Sequence, residues 1–293
     1  MTLYHNRLNL ANALRDLSRQ RLVPLAGSPD AAVSPVPVPG AYLGVWRRRL
    51  LETPELRDDR SHVFWLQTPH WHADLRLPAG RPDFSGVTRL AQCDATQLAW
   101  LARQQGFCGV TQVEGDRCTW HRQMDFQPAN GSRDIGRMVF DGERVTETGI
   151  EADYIERWER LPPSRGGTAA LELVVEGGEP PDRPTWLLVA GECFMYVRGR
   201  AQPLPHAADL PRLIARTLPA RSQLLGWLDV EISFGYRKGP NPWRIEHSTL
   251  PFREETILTR PGAIQRLGYQ IAVEGSNERR WRILDWSLGG TSL

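Results

Sequence analysis

Apolar residues in this chain recur mostly at every second position, in short runs cut by Gly, Pro or Asp, and that period belongs to antiparallel strands. Runs of this kind fall at 42–51, 62–67, 72–77, 109–113, 118–126, 135–140, 144–151 and 154–161. One helix interrupts them, with Asp94 as N-cap, Leu98, Trp100 and Leu101 as the apolar face and Gly106 as the stop. A Pro/Gly-rich break at 162–167 precedes a second series at 168–176, 185–190, 194–200, 226–236, 243–248, 255–258, 263–274 and 279–287. It too carries one helical piece, 207–218, broken by Pro211. Short strands with close turns close most economically into barrels, which have no exposed edge. The pattern therefore predicts a mainly β chain of two antiparallel barrels, 41–163 and 164–293. Ahead of them, Leu3, Leu10, Leu14 and Leu17 recur at helical spacing, and Pro29, Pro35, Pro37 and Pro39 make an extended linker, so 1–40 reads as helix and linker.

Composition narrows the setting. The 293 residues carry 36 Lys+Arg against 34 Asp+Glu, and a net charge of +2 gives no field for tracking phosphates or anionic lipid. Nucleic acid and membrane are excluded as partners on that ground. No apolar run approaches the ~20 residues that span a bilayer. Cys93, Cys108, Cys118 and Cys193 lack CxxC spacing, which reads as reduced thiols in a cytoplasmic protein. Lys238 is the single lysine, a bias with no functional weight.

Several short motifs occur in a fixed order. Gly44-Val45-Trp46 opens the first series, and Trp120 with Asp125, Glu147-Thr148-Gly149 and Trp158 follow. The second series has Arg198-Gly199-Arg200, Ser233 to Tyr236 and a terminal run from Trp281 to Trp286. The opening motif resembles that of lipocalin-like barrels, in which the Trp plugs one end and an Arg from a late strand packs over it. The order of the whole set resembles the kinase-interacting two-barrel proteins of yeasts, the HRI family, and their bacterial relatives, over about residues 40–290. The resemblance implies two lipocalin-like domains and a protein partner as one reading; it brings no reaction with it.

Candidate chemistry rests on the residues themselves. Along 71–77, Trp71, Ala73, Leu75 and Leu77 alternate with His72, Asp74 and Arg76, so one face is wholly ionisable. Trp65 and Gln67 share a face of the preceding strand across the Thr68-Pro69-His70 turn. Pointed inward, this array would bind an anion through Arg76 and move a proton through His72; pointed outward, it is a solvated face with Asp74 paired to Arg76. In the next cluster, Trp120 and Arg122 share one face, and His121 and Asp125 the other, as a base and its orienter or as solvated groups. His70, His72 and His121 have the residue types of a three-His metal site, but His70 falls in a turn and no metal is expected. Asp229, Glu231 and Ser233 alternate with apolar residues, as do Arg244, Glu246 and Ser248, so neighbouring strands would let Glu231 or Glu246 pair with Arg244. No serine has a Gly-x-Ser-x-Gly context and no Gly-rich loop has a strand-loop-helix frame, so no cofactor is expected.

Three functions compete. The first is binding of a small lipophilic or aromatic ligand, with a carboxylate as one option, in the first barrel, lined by Trp65, Gln67, Trp71, Trp120 and Arg122. The second is a cofactor-independent lyase, isomerase or cyclase with His72 or His121 as base, Asp74 or Asp125 as orienter and Arg76 as anion clamp. An interaction module with filled barrels is the third.

Overall fold

Closure of the first sheet follows from its opening strand, which pairs on both sides. In the computed structural model, which describes residues 36–275 and 278–293, this sheet comprises β1 (Gly44–Glu52), β2 (Arg57–Asp58), β3 (His62–Gln67), β4 (Trp71–Leu77), β5 (Gln105–Glu114), β6 (Arg117–Asp125), β7 (Asp134–Asp141), β8 (Arg144–Gly149) and β9 (Ile155–Arg160). Strand β1 pairs antiparallel with β3 and with β9, so eight strands form a closed barrel, and β2 is a two-residue addition beside β1. Trp46 is wholly buried at one end, and the Arg160 guanidinium lies 4.5 Å over its ring. Arg160 also donates to the carbonyls of Leu43 and Ala41, tying down the 3-10 turn Gly40–Tyr42 beneath that end.

The second sheet comprises β10 (Thr168–Val175), β11 (Thr185–Ala190), β12 (Cys193–Arg198), β13 (Glu231–Tyr236), β14 (Trp243–Ser248), β15 (Ile257–Thr259), β16 (Ile264–Leu267), β17 (Ile271–Glu274) and β18 (Arg279–Trp286). Its order runs from β15 through β14, β13, β12, β11, β10, β18 and β17 to β16. Among the described residues β15 and β16 do not pair, so the second sheet is a curled half-barrel rather than a closed one. The run at 263–274 is a hairpin of two strands, because Gly268 at φ 72° reverses the chain.

Among the described residues, three α-helices accompany the sheets. Ala95–Leu101 starts at Asp94 in a capping box with Gln97. Pro211 opens the helix Leu210–Thr217 instead of breaking one, since a proline in the first turn forfeits no helical bond. The helix Arg221–Leu228 takes residues that the alternation assigned to the start of β13. No helix among the described residues is long and apolar enough to cross a membrane. The expected helix at 3–22 and most of the proline linker lie outside the described residues.

One apolar layer decides which way the strand faces point. Phe64, Leu66, Ala73, Leu75 and Cys108 on the outside of β3–β5 pack in one cluster with Trp186, Leu188, Met195, Val197, Ile232 and Phe234 of the second sheet. Phe64 and Phe234 stack at 4.4 Å and 12°. Each large side chain buried here stabilises the fold by roughly 1.5–3 kcal/mol. The apolar face of β4 is therefore consumed outside the barrel, and by strand alternation His72, Asp74 and Arg76 are left facing in.

Candidate functional site: the charged end of the first barrel

The barrel interior has an aromatic part and a charged part. Trp46, Trp65, Trp120 and Trp158 with Tyr42 and Phe140 fill the aromatic part, and Trp65 makes edge contacts with Trp120 at 5.6 Å and Trp158 at 6.0 Å. Beyond them, Trp65, Asp74, Arg76, Phe107, Trp120, Asp134, Glu147 and Trp158 surround a cavity of about 10 Å³, the room of one water.

The inward face of β4 meets two separate hydrogen-bond systems. Gln67 donates its amide to the carbonyls of Thr68 and Trp71, which fixes its oxygen as acceptor for Trp65 Nε1 at 3.2 Å and Thr111 Oγ1 at 2.8 Å. Thr111 has thereby given its only hydrogen, so at 3.0 Å it accepts from His72 Nδ1. Nε2 of His72 is then the ring acceptor, buried and without a partner. Burial, with Arg122 and His121 nearby, holds the His72 pKa well below the usual imidazole value, so the ring is neutral.

Asp74 does not orient His72. It accepts from Arg76 Nε at 2.8 Å, and Arg76 in turn reaches Glu156 at 3.5 Å, which is held by Arg48 at 2.5 Å. Burial opposes the charge on Arg76, yet Asp74 and Glu156 keep its pKa well above the ordinary value. It is therefore a bound cation within an ion-pair chain and not a vacant anion clamp. Burial raises the pKa of Asp74 despite Arg76. Glu147 is raised further: it is buried, faces Glu156 and Asp134, and accepts from Tyr154 at 2.7 Å and Trp158 Nε1 at 3.1 Å. Across the β7–β8 pair, a Cβ on Gly136 would lie 2.8 Å from Glu147 Cγ, so a side chain there would displace the Glu147 carboxyl.

The expected pairing of His121 with Asp125 does not form. Between β5 and β6 the register slips, with Gly109 opposite Arg122 but Cys108 opposite Met124, so Gln123 is the extra residue of a bulge. That residue changes the parity of the strand. His121 meets Gln112 at 3.1 Å, whereas Asp125 turns to Arg122 at 2.7 Å. Trp71 is also outside the barrel, 6.3 Å from Trp186 of the second sheet. Nor do the three histidines converge, since His70 Nδ1 lies 2.5 Å from Asp285 of β18 while His72 faces inward. In the second sheet Ser233 and Ser248 are opposite each other as expected of neighbours, but Glu231 pairs with Arg253 at 2.9 Å and Arg244 pairs with Glu255.

Six residues of the charged end escaped the sequence reading: Arg48, Phe107, Asp134, Glu147, Glu156 and Trp158 in its role as wall. One signal was available in β9, where Glu156 and Trp158 at i, i+2 must share a face. A carboxylate two residues from a buried Trp on a barrel strand is itself inside.

No protein-family model and no curated protein matches the sequence. The structure is similar to that of the uncharacterized protein YLR301w from Saccharomyces cerevisiae, with a TM-score of 0.48 and 11% identity over 83% of this chain and 98% of that one.

Proposed function

We propose that the first barrel is a binding module for a small organic cation, taken up at its charged end. The observation that carries this reading is an excess of acid in a buried place. Asp74, Glu147 and Glu156 are buried, and Asp58, Asp125 and Asp134 lie half-buried beside them, against the guanidinium groups of Arg48, Arg76 and Arg122. Uncompensated carboxylates in a low-dielectric interior are costly, and here the raised pKa of Glu147 relieves the excess by protonation. A bound cation would relieve it instead. The faces of Trp65, Phe107, Trp120 and Trp158 attract such a group through their quadrupoles, and Glu156 Oε2 is an unspent buried acceptor. The Trp46–Arg160 stack supports a lipocalin-like reading of the barrel, and the motif order supports kinship with the HRI family.

The test is titration of tryptophan fluorescence with tetramethylammonium, with tert-butanol as the neutral control. Quenching by the cation alone is expected, weaker at lower pH because Glu147 then keeps its proton. A response to neither compound, or an equal response to both, sinks the reading.

A second reading has one observation in its favour. The neutral His72 with its partnerless Nε2 has the form of a general base, which supports proton abstraction from a small substrate in the same barrel. His72→Gln would then abolish turnover of any substrate found while leaving cation binding in place.

A further inference from the structure

Arg122 stands where the barrel opens. It sits on β6 opposite Gly109, at the bulge between β5 and β6. A Cβ on Gly109 would lie 1.9 Å from the His121 carbonyl oxygen, so no side chain can occupy the position facing Arg122. The guanidinium fills that side: it lies 3.8 Å over the Phe107 ring and donates to Asp125 at 2.7 Å and Asp134 at 2.5 Å. Phe107 and Asp134 are also walls of the cavity. The contacts of Arg122 are thus an aromatic face and two carboxylates, the same chemistry that would hold an external cation.

Its exposure separates it from the other arginines of the cluster. The Arg122 side chain is 35% exposed, against 24% for Arg76 and 6% for Arg48, so Arg122 is the most exposed of the three and Arg48 is sealed within. An arginine on a four-torsion stem at a mouth can swing into water, where its charge is solvated, at the cost of two ion pairs and a ring contact. The vacated space joins the cavity.

From this geometry we infer that Arg122 is the internal occupant and gate of the cation site, and that the ligand carries a planar guanidinium or amidinium which replaces it over Phe107. The inference rests on the cation-binding reading above. It narrows the ligand, because a flat, forked donor reproduces both the ring stack and the two carboxylate contacts, whereas a tetrahedral ammonium reproduces only the charge.

Calorimetric titration of the full chain with methylguanidinium, with methylurea as the uncharged control, tests it. When a competitor occupies the site most of the time, removing it tightens apparent binding by the inverse of the open fraction, so Arg122→Ala is expected to gain on the order of tenfold in affinity. Arg122→Met removes the competing guanidinium but keeps an unbranched apolar stem beside Phe107, with both carboxylates left for the ligand, and it too should bind methylguanidinium more tightly than the unaltered chain. This second variant keeps the test open if Arg122→Ala folds poorly. Equal affinity in all three proteins overturns the gate while leaving the cation site standing. Binding in none of them, or binding of methylurea as well, overturns the site and the gate together.

Discussion

The hydroxyl of Thr111 lies 3.0 Å from Nδ1 of His72 and donates its one hydrogen to Gln67, so the proton between Thr111 and His72 belongs to the imidazole. The tautomer of His72 is thus set by the amide of Gln67, two hydrogen bonds away. Nitrogen-15 NMR of the histidine rings is expected to show His72 as the Nδ1-H form at neutral pH and on down well below the usual imidazole range. Thr111→Val keeps the shape and removes the acceptor, which leaves a buried N–H unpaired; a loss of about 1–3 kcal/mol in urea denaturation is expected. An unchanged midpoint would show that the relay does not order this strand pair.

Glu147 gives the stability of the protein a slope with an unusual sign. Because burial and the neighbouring Glu156 and Asp134 raise its folded pKa, the folded state keeps a proton that the unfolded chain has already shed. Stability from this group is complete below the ordinary glutamate pKa and falls as pH rises toward the folded one, by up to about 1.4 kcal/mol per pH unit. Glu147→Gln removes that slope. Denaturation series of both proteins between mildly acid and neutral pH should diverge by about 1–2 kcal/mol, and parallel curves would contradict the assignment.

Arg48 is the hinge of the ion-pair chain, holding Glu156 at 2.5 Å and Asp58 at 2.7 Å with its side chain 6% exposed. Arg48→Met leaves Glu156 buried with only Arg76, 3.5 Å away, and should cost about 3–5 kcal/mol. Adding Glu156→Gln removes the stranded charge and should restore part of that loss. If the double variant is no more stable than the single one, the cost lies in packing and not in charge.

Acid should loosen the contact between the two sheets. His62 of β3 and His247 of β14 lie 5.0 Å apart beside the Phe64–Phe234 stack, with Arg47 and Arg81 adding positive charge and Glu254 engaged by Arg81 at 2.8 Å. Burial, then His62 and the arginines, push His247 from 6.5 down to about 4. A histidine with a depressed folded pKa binds its proton more readily once unfolded, so its contribution is complete above 6.5 and is lost as pH falls toward 4. The loss over that window is on the order of 2–3 kcal/mol. His247→Phe should flatten the acid limb of the stability profile; an identical acid limb would place the sensitivity elsewhere.

Much of the candidate site was legible as pattern without being legible as place. The alternation of His72, Asp74 and Arg76 with Ala73, Leu75 and Leu77 stood in the sequence, and so did the pairing of Trp65 and Gln67 on the strand before. Parity misled at His121 and Asp125, because the bulge at Gln123 inserts one residue between them and no local signal marks it. Asp134 and Glu147 were hidden for another reason: an acid on a strand whose inward face is not yet fixed looks solvated until the barrel closes around it.

The order of polar and apolar positions, with its turn residues, determined that this chain forms two antiparallel sheets and that β4 has one ionisable face and one apolar face. Such a strand conventionally turns its charges to water, because one sheet has one core to fill. Here two hydrophobic faces had to be buried, the outside of β3–β5 and the facing side of the second sheet, and packing them on each other left the polar face no direction but inward. Closure by β1 and β9 then enclosed those charges with aromatic rings. Neither step is a property of any local stretch of sequence, since each depends on surface supplied by residues a hundred or more positions away.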